Sequence, residues 1–272
     1  MLGSADGRRA LGCSLTPVSG PLSGRVVLLS GAESLLGLGL ALAVARAGAS
    51  VGLLGHVDHE VVAGLGAAHA RLVVAPTDFD CREDVEEAVA FAVERLGPAD
   101  AVVHTAMDPV AFERRPIAEV DDAHFEAVWE GTMEATLWLM QAAYGAFTRR
   151  SADGRTGGRI VVTVPTLAME GSAGLVAYAA ATEGQRLLVK SAARQWGPQG
   201  ITVNCLAVAP ALAGVAPVGV GPADHGLAPP ALGRVGDPEL DVGPALVFLL
   251  GDGGSFVTGA TVCVDGGLWM AP

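Results

Sequence analysis

The chain has 272 residues, 51% of them apolar and 17% charged, and a net charge of −12. Such a surface repels a phosphate backbone, and the two basic pairs, Arg114-Arg115 and Arg149-Arg150, build no patch, so nucleic acid is set aside as a partner. The longest apolar run, Leu35 to Ala45, is too short to cross a bilayer, which sets a membrane aside as well.

Residues 1–23 hold Arg8 and Arg9 among Gly, Ser and Pro and lack the apolar centre of a signal peptide. They are expected to form a flexible tail, and the protein is expected to be cytoplasmic. From Arg25 the pattern is regular. Short apolar runs bounded by turn residues predict strands at 26–30 (VVLLS), 50–54 (SVGLL), 71–76 (RLVVAP), 99–105 (ADAVVHT), 158–164 (GRIVVTV), 200–208 (GITVNCLAV) and 260–266 (ATVCVDG). Helical spacing between them predicts helices near 36–47, 83–96, 120–148, 174–196 and 238–250. One Gly- and Pro-rich stretch, 209–233, is irregular and long enough to be a lid or substrate loop.

Seven buried strands alternating with helices predict a parallel sheet covered on both faces. Right-handed crossovers make it a Rossmann-type, doubly wound α/β sheet, built as a single domain over 24–272. Aromatic residues are 5% of the chain, so Ala, Val and Leu must supply the core. The four cysteines, Cys13, Cys81, Cys205 and Cys263, match neither a metal spacing nor a disulfide framework and are expected to be buried thiols, with no metal site.

Five markers carry a resemblance. They are SGAESLLGLG after the first strand, TDFDCREDV after the third, GPADAVVHTA at the fourth, GRIVVTV with AYAAAT and RQWGPQGITVNCLAVAP, and the closing GRVGDPELDVGPALVFLLGDGGSFVTGATVCVDGGLW. In this order and spacing they resemble the short-chain dehydrogenase/reductase family from residue 24 to 269. The resemblance implies a tyrosine as acid/base, a lysine one helical turn on that lowers its pKa and holds the nicotinamide ribose, a serine on the substrate carbonyl, and an asparagine that orders a water relay. Carried across by position, the tyrosine is Tyr178, but the lysine is Thr182, the serine Pro165 and the asparagine Thr132.

A free phenol ionises near pH 10, and a cation about 6 Å along the helix would favour phenolate. Threonine supplies no charge. Lys190, the single lysine, lies about 18 Å along the axis from Tyr178, and Arg186 about 12 Å. Proline has no hydroxyl to donate, and Thr163 and Thr166 would need a local rearrangement to inherit the role.

The cofactor positions implied by the resemblance are similarly altered. The three glycines of the turn fall on Gly31, Leu35 and Gly37, and Leu35 takes the space of a pyrophosphate unless the turn shifts to Gly37 and Gly39. The second strand ends at Gly55 and His56, with no carboxylate for a ribose diol. His56 could meet a 2′-phosphate weakly, so NADP(H) is favoured over NAD(H) if any dinucleotide binds. Met107 stands for a glycine close to the cofactor, and Asp78 is expected beside an adenine or at the start of the next helix.

These losses predict a non-redox subunit that binds cofactor weakly or not at all. It would support a homo- or hetero-oligomer with an active paralogue, through the helices near 120–148 and 174–196. One alternative is a divergent NADP(H)-dependent carbonyl or alcohol oxidoreductase in which Tyr178 still gives the proton. Another is a lyase, isomerase or cyclase in the former pocket, with His104, Tyr178, Thr132 and Glu170 as candidate groups.

Overall fold

The computed structural model describes residues 20–66, 71–150, 157–214 and 230–270. Most of the expected tail, Cys13 and residues 215–229 of the irregular stretch lie outside the described residues.

The apolar runs form strands β1 (Val26–Ser30), β2 (Ser50–Leu54), β3 (Leu72–Ala75), β4 (Ala101–His104), β5 (Gly158–Pro165), β6 (Ile201–Val208) and β7 (Thr261–Val264). They pair in parallel in the order β3-β2-β1-β4-β5-β6-β7, the doubly wound sheet that the pattern predicts. The helices are α1 (Leu35–Arg46), α2 (His59–Gly66), α3 (Arg82–Leu96), α4 (Asp122–Trp129), α5 (Ala135–Arg150), α6 (Leu167–Glu170), α7 (Val176–Trp196) and α8 (Gly243–Leu250).

Successive strand residues face opposite ways, so each strand feeds two cores. Val26 and Leu28 of β1 join Val102 of β4 on the face covered by α3, α5 and α7. Val27 and Leu29 join Ala101 and Val103 on the face covered by α1 and α8. The parallel register sets Ser30 of β1 beside Leu54 of β2, which brings the turns after these strands together at one end of the sheet.

The structure departs from the expectations in several places, among them the short helices α2 and α6, where no helix is expected. The helix expected at 120–148 is interrupted by a π-helical turn, Glu130–Glu134, between α4 and α5. The carbonyl of Thr132 in that turn accepts from Thr136 Oγ1 at 2.7 Å and from Gln185 Nε2 at 3.2 Å, side-chain bonds that hold the wide turn in place. A second π-helical turn, Pro238–Val242, precedes α8. The tail stops short of residue 23, because Leu22 is fully buried and its N–H donates to Ala47 O at 2.9 Å. Finally, Cys205 is buried and burial pushes its thiol up to about 12, but Cys81 is half-buried and Cys263 is exposed on the edge strand β7.

Among the described residues no helix is long and apolar enough to cross a membrane, and no group of three His, Cys, Asp or Glu could hold a metal.

Candidate functional site

The sheet reverses its order between β1 and β4, and a cleft of about 630 Å³ opens there at the carboxyl ends of the strands. Its walls come from the start of α1, the segment Thr105–Met107 after β4, the end of β5, and the 3₁₀ turn Pro210–Ala213 after β6. Leu35, Met107 and Pro165, three of the positions where this chain departs from the implied pattern, all line it.

The floor is stitched from β1 to β4. Thr105 Oγ1 donates to Ser30 O at 2.5 Å, and Ser30 Oγ accepts from the N–H groups of Thr105 (3.1 Å) and Ala106 (3.3 Å). Gly31 takes φ +79°, and a Cβ there would meet Thr105 Oγ1 at 2.4 Å. A Cβ on Gly37 would lie 2.0 Å from Gly31 O, and one on Gly39 2.4 Å from Pro238 Cβ. Gly37 and Gly39 therefore serve close packing of α1 on the turn after β1 and on the Pro238–Val242 turn. Neither lines the cleft, so the expected shift of a phosphate site onto them is not found. Ser34 caps α1, accepting from Gly37 N at 3.0 Å, and Leu35 follows it 66% exposed.

His104 ends β4 but is enclosed, with 2% of its surface exposed and the Phe79 ring 5.8 Å away. Its Nδ1 lies 2.8 Å from Ser30 Oγ. Because that oxygen already accepts two N–H groups, its own proton goes to Nδ1, which assigns the Nε2–H tautomer. Nε2 has no partner among the described residues. Burial lowers the imidazole pKa to about 4, so the ring is neutral near pH 7. His104 is not part of the cleft lining, which separates it from the acid/base role expected for it.

At the end of β2, His56 is exposed and Gly55 takes φ +133°. A Cβ on Gly55 would lie 3.3 Å from Glu33 Oε2 and 4.0 Å from the Phe79 ring. A carboxylate thus stands where the sequence reading found none, supplied by the turn after β1. Glu33 is exposed at the lip of the cleft, yet partial burial of its carboxyl raises its pKa, with its own backbone N–H and His56 opposing. Asp80, beside Phe79, is also raised, first by partial burial and then by Asp108, Asp78 and Glu130. Negative charge here would oppose a 2′-phosphate. Asp78 is exposed and accepts from Asp80 N at 2.9 Å in a turn before α3, whose N-cap is Cys81.

Tyr178 sits in the first turn of α7 in an apolar cluster with Ala111, Val128, Leu167, Leu175 and Ala181, 1% exposed. Phe112, which lines the cleft, packs on it with ring centroids 5.6 Å apart and screens it from that space. Its hydroxyl has no partner among the described residues, and burial raises the phenol well above its ordinary range. Thr182 Oγ1 turns back to the carbonyls of Tyr178 (2.8 Å) and Ala179 (3.3 Å). The Thr132 and Thr166 hydroxyls are buried without partners among the described residues, and Thr163 Oγ1 donates to His104 O at 3.4 Å. Arg186 is held by Glu183 at 2.6 Å and Thr261 at 3.2 Å, on the side towards β7. Glu170 is exposed and outside the cleft lining. Tyr178→Phe should leave stability unchanged or raise it by about 1 kcal/mol in urea unfolding, since it deletes a buried hydroxyl without orphaning a partner.

Three side chains escaped the sequence reading: Glu33, Phe112 and Gln185. Gln185 lies two turns beyond Tyr178 on the buried face of α7, a spacing visible in the sequence, and ties α7 to the π-helical turn. Phe112 comes from a separate 3₁₀ turn, Pro109–Phe112, and left no such signal.

Over residues 31–269 the chain matches the family profile described as Enoyl-(Acyl carrier protein) reductase. It belongs to the short-chain dehydrogenase/reductase family. It is 33% identical over 252 residues to an uncharacterised oxidoreductase of Mycobacterium tuberculosis, covering 89% of this chain and 90% of that protein. It is also 33% identical over 249 residues to cis-4-hydroxycyclohexanecarboxylate dehydrogenase of Sinomonas cyclohexanicum, covering 89% and 96%. The crystal structure of a dehydrogenase/reductase from Sinorhizobium meliloti superposes with a TM-score of 0.80 at 28% identity, over 93% of this chain and 98% of that one.

Short-chain dehydrogenases/reductases typically bind a nicotinamide dinucleotide. A pyrophosphate needs close backbone approach at the turn after β1 and no nearby negative charge. Here Leu35 and Met107 stand in the cleft lining, and the Glu33 carboxyl is in it too. These residues do not fit the group.

Proposed function

We propose that this chain is a non-redox member of the short-chain dehydrogenase/reductase family, binding nicotinamide cofactor weakly or not at all, and the supporting subunit of an oligomer with a catalytically competent relative. The observation that carries this reading is the sealed Tyr178. A general acid needs a pKa near the working pH and hydrogen-bond reach to the reacting group. The phenol is raised out of that range, is screened from the cleft by Phe112, and has Thr182 where a cation would tune it. The helices proposed for pairing, α4 with α5 and α7, expose Phe125 and Leu187. Purified alone, the protein should turn over neither NADH nor NADPH with carbonyl substrates. Co-expressed with an intact paralogue, it should co-elute as one complex of defined mass. Turnover by the isolated chain that disappears in Tyr178→Phe is the result that overturns this.

A second reading, a divergent oxidoreductase of ring alcohols or ketones, is favoured by the relative named as cis-4-hydroxycyclohexanecarboxylate dehydrogenase. It requires Phe112 to leave Tyr178, so Phe112→Ala should raise turnover if it holds. The lyase, isomerase or cyclase reading has less support, because His104 is enclosed and neutral.

A further inference from the structure

Leu35, Met107 and Pro165 come from three separate segments, yet the fold converges them on one cavity. With Leu36, Phe112 and Leu212 they make a largely apolar wall around about 630 Å³, a volume suited to a small molecule. The hydroxyls at this surface are spent inside the protein. Ser34 Oγ binds Gly37 N–H and Gly31 O, Thr105 Oγ1 binds Ser30 O, and Thr163 Oγ1 points to His104 O. The charged side chain in the lining is Glu33, and its raised pKa agrees with a site that resists further negative charge.

We propose that this cleft binds a neutral, apolar small molecule in the place of a dinucleotide, and rejects phosphate-bearing ligands. The inference deepens the non-redox reading and rests on it. A phosphate in this cleft would meet the Glu33 carboxyl and would lose its hydration against the Leu35, Met107 and Pro165 side chains. An uncharged ring system forfeits nothing polar on entry and gains burial against leucine, methionine and proline.

The test uses the full chain and the neutral fluorophore N-phenyl-1-naphthylamine. Its fluorescence should rise saturably with one-to-one stoichiometry, and millimolar NADH, NADPH or ADP-ribose should not displace it. Ala213→Trp, which fills the cleft from the Pro210–Ala213 turn, should weaken the probe by about tenfold or more with an unchanged circular dichroism spectrum. If that variant fails to fold, Met107→Arg, at a half-buried position of the same lining, should give the same loss. Displacement of the probe by a dinucleotide overturns the proposal, as does full probe affinity in a folded cleft-filling variant. Full probe affinity in a folded cleft-filling variant would sink this inference alone, whereas failure to assemble with any active relative would sink the subunit reading alone.

Discussion

Gly37→Ala should destabilise the protein by about 3 kcal/mol or more, at the upper end of what overpacking costs. The added methyl would lie 2.0 Å from Gly31 O, 2.5 Å from Gly31 C and 2.8 Å from Thr105 Oγ1. Two of these atoms are backbone, in a turn that has little freedom to yield. Ser34 N holds Gly31 O at 3.1 Å, Ser34 Oγ holds the same carbonyl at 2.8 Å, and Thr105 Oγ1 pins the preceding residue. Relief would require lifting α1 from the sheet and giving up part of the packing of Leu36, Leu40 and Val44. A domain has only about 5–15 kcal/mol to lose, so a large fraction of stability is at stake. Urea unfolding should show a lower midpoint at unchanged slope. Gly64→Ala is the control, because Gly64 lies exposed in α2 with nothing within 4 Å of an added Cβ. It should stabilise by about 0.5–1 kcal/mol through helix propensity. Equal effects at the two sites would mean that Gly37 is not held by packing at all.

Seven apolar runs with turn residues at their ends were legible as seven parallel strands, because a strand buried on both faces leaves little room for polar residues. The π-helical turns were not. One extra residue in a turn barely disturbs a 3.6-residue pattern, and the bonds that stabilise the turn at Thr132 come from Gln185, far along the chain. Leu22 reads as part of a loose segment until α1 and β2 create the pocket that takes it. The site was legible by residue type and illegible by position. Gly55 and His56 correctly marked the end of β2, but the carboxylate there arrives from Glu33. Only the pairing of Ser30 with Leu54 explains that meeting, and pairing is a property of the folded sheet. Likewise the threonine at 182, where the resemblance implies a lysine, could be read directly, but the packing of Phe112 on Tyr178 required the fold.

Acidification should produce the other large effect, and His104 is its source. The folded protein holds this imidazole at a pKa of about 4, against an ordinary value near 6.5, through desolvation. Below about pH 6.5 the unfolded chain therefore binds a proton that the folded chain refuses, so stability falls as pH falls. The loss begins near pH 6.5 and is complete near pH 4, where the folded ring also protonates. A shift of about 2.5 units corresponds to about 3 kcal/mol. Protonation places a second donor at Nδ1, opposite a Ser30 oxygen that already accepts two N–H groups. The contact that joins β1 to β4 then becomes a repulsion. Neighbouring carboxyls cannot mimic this: Glu33 and Asp80 have raised pKa values and favour the folded state on acidification, while Asp241, lowered to about 2 by Arg234, loses its contribution only at lower pH. His104→Asn keeps a side chain able to bond Ser30 Oγ and removes the titrating ring. Its unfolding free energy should lose the slope between pH 6.5 and 4 that the parent shows. A parent profile flat across that window, or a variant profile just as steep, would mean that this imidazole reaches water despite its enclosure between Ser30 and Phe79.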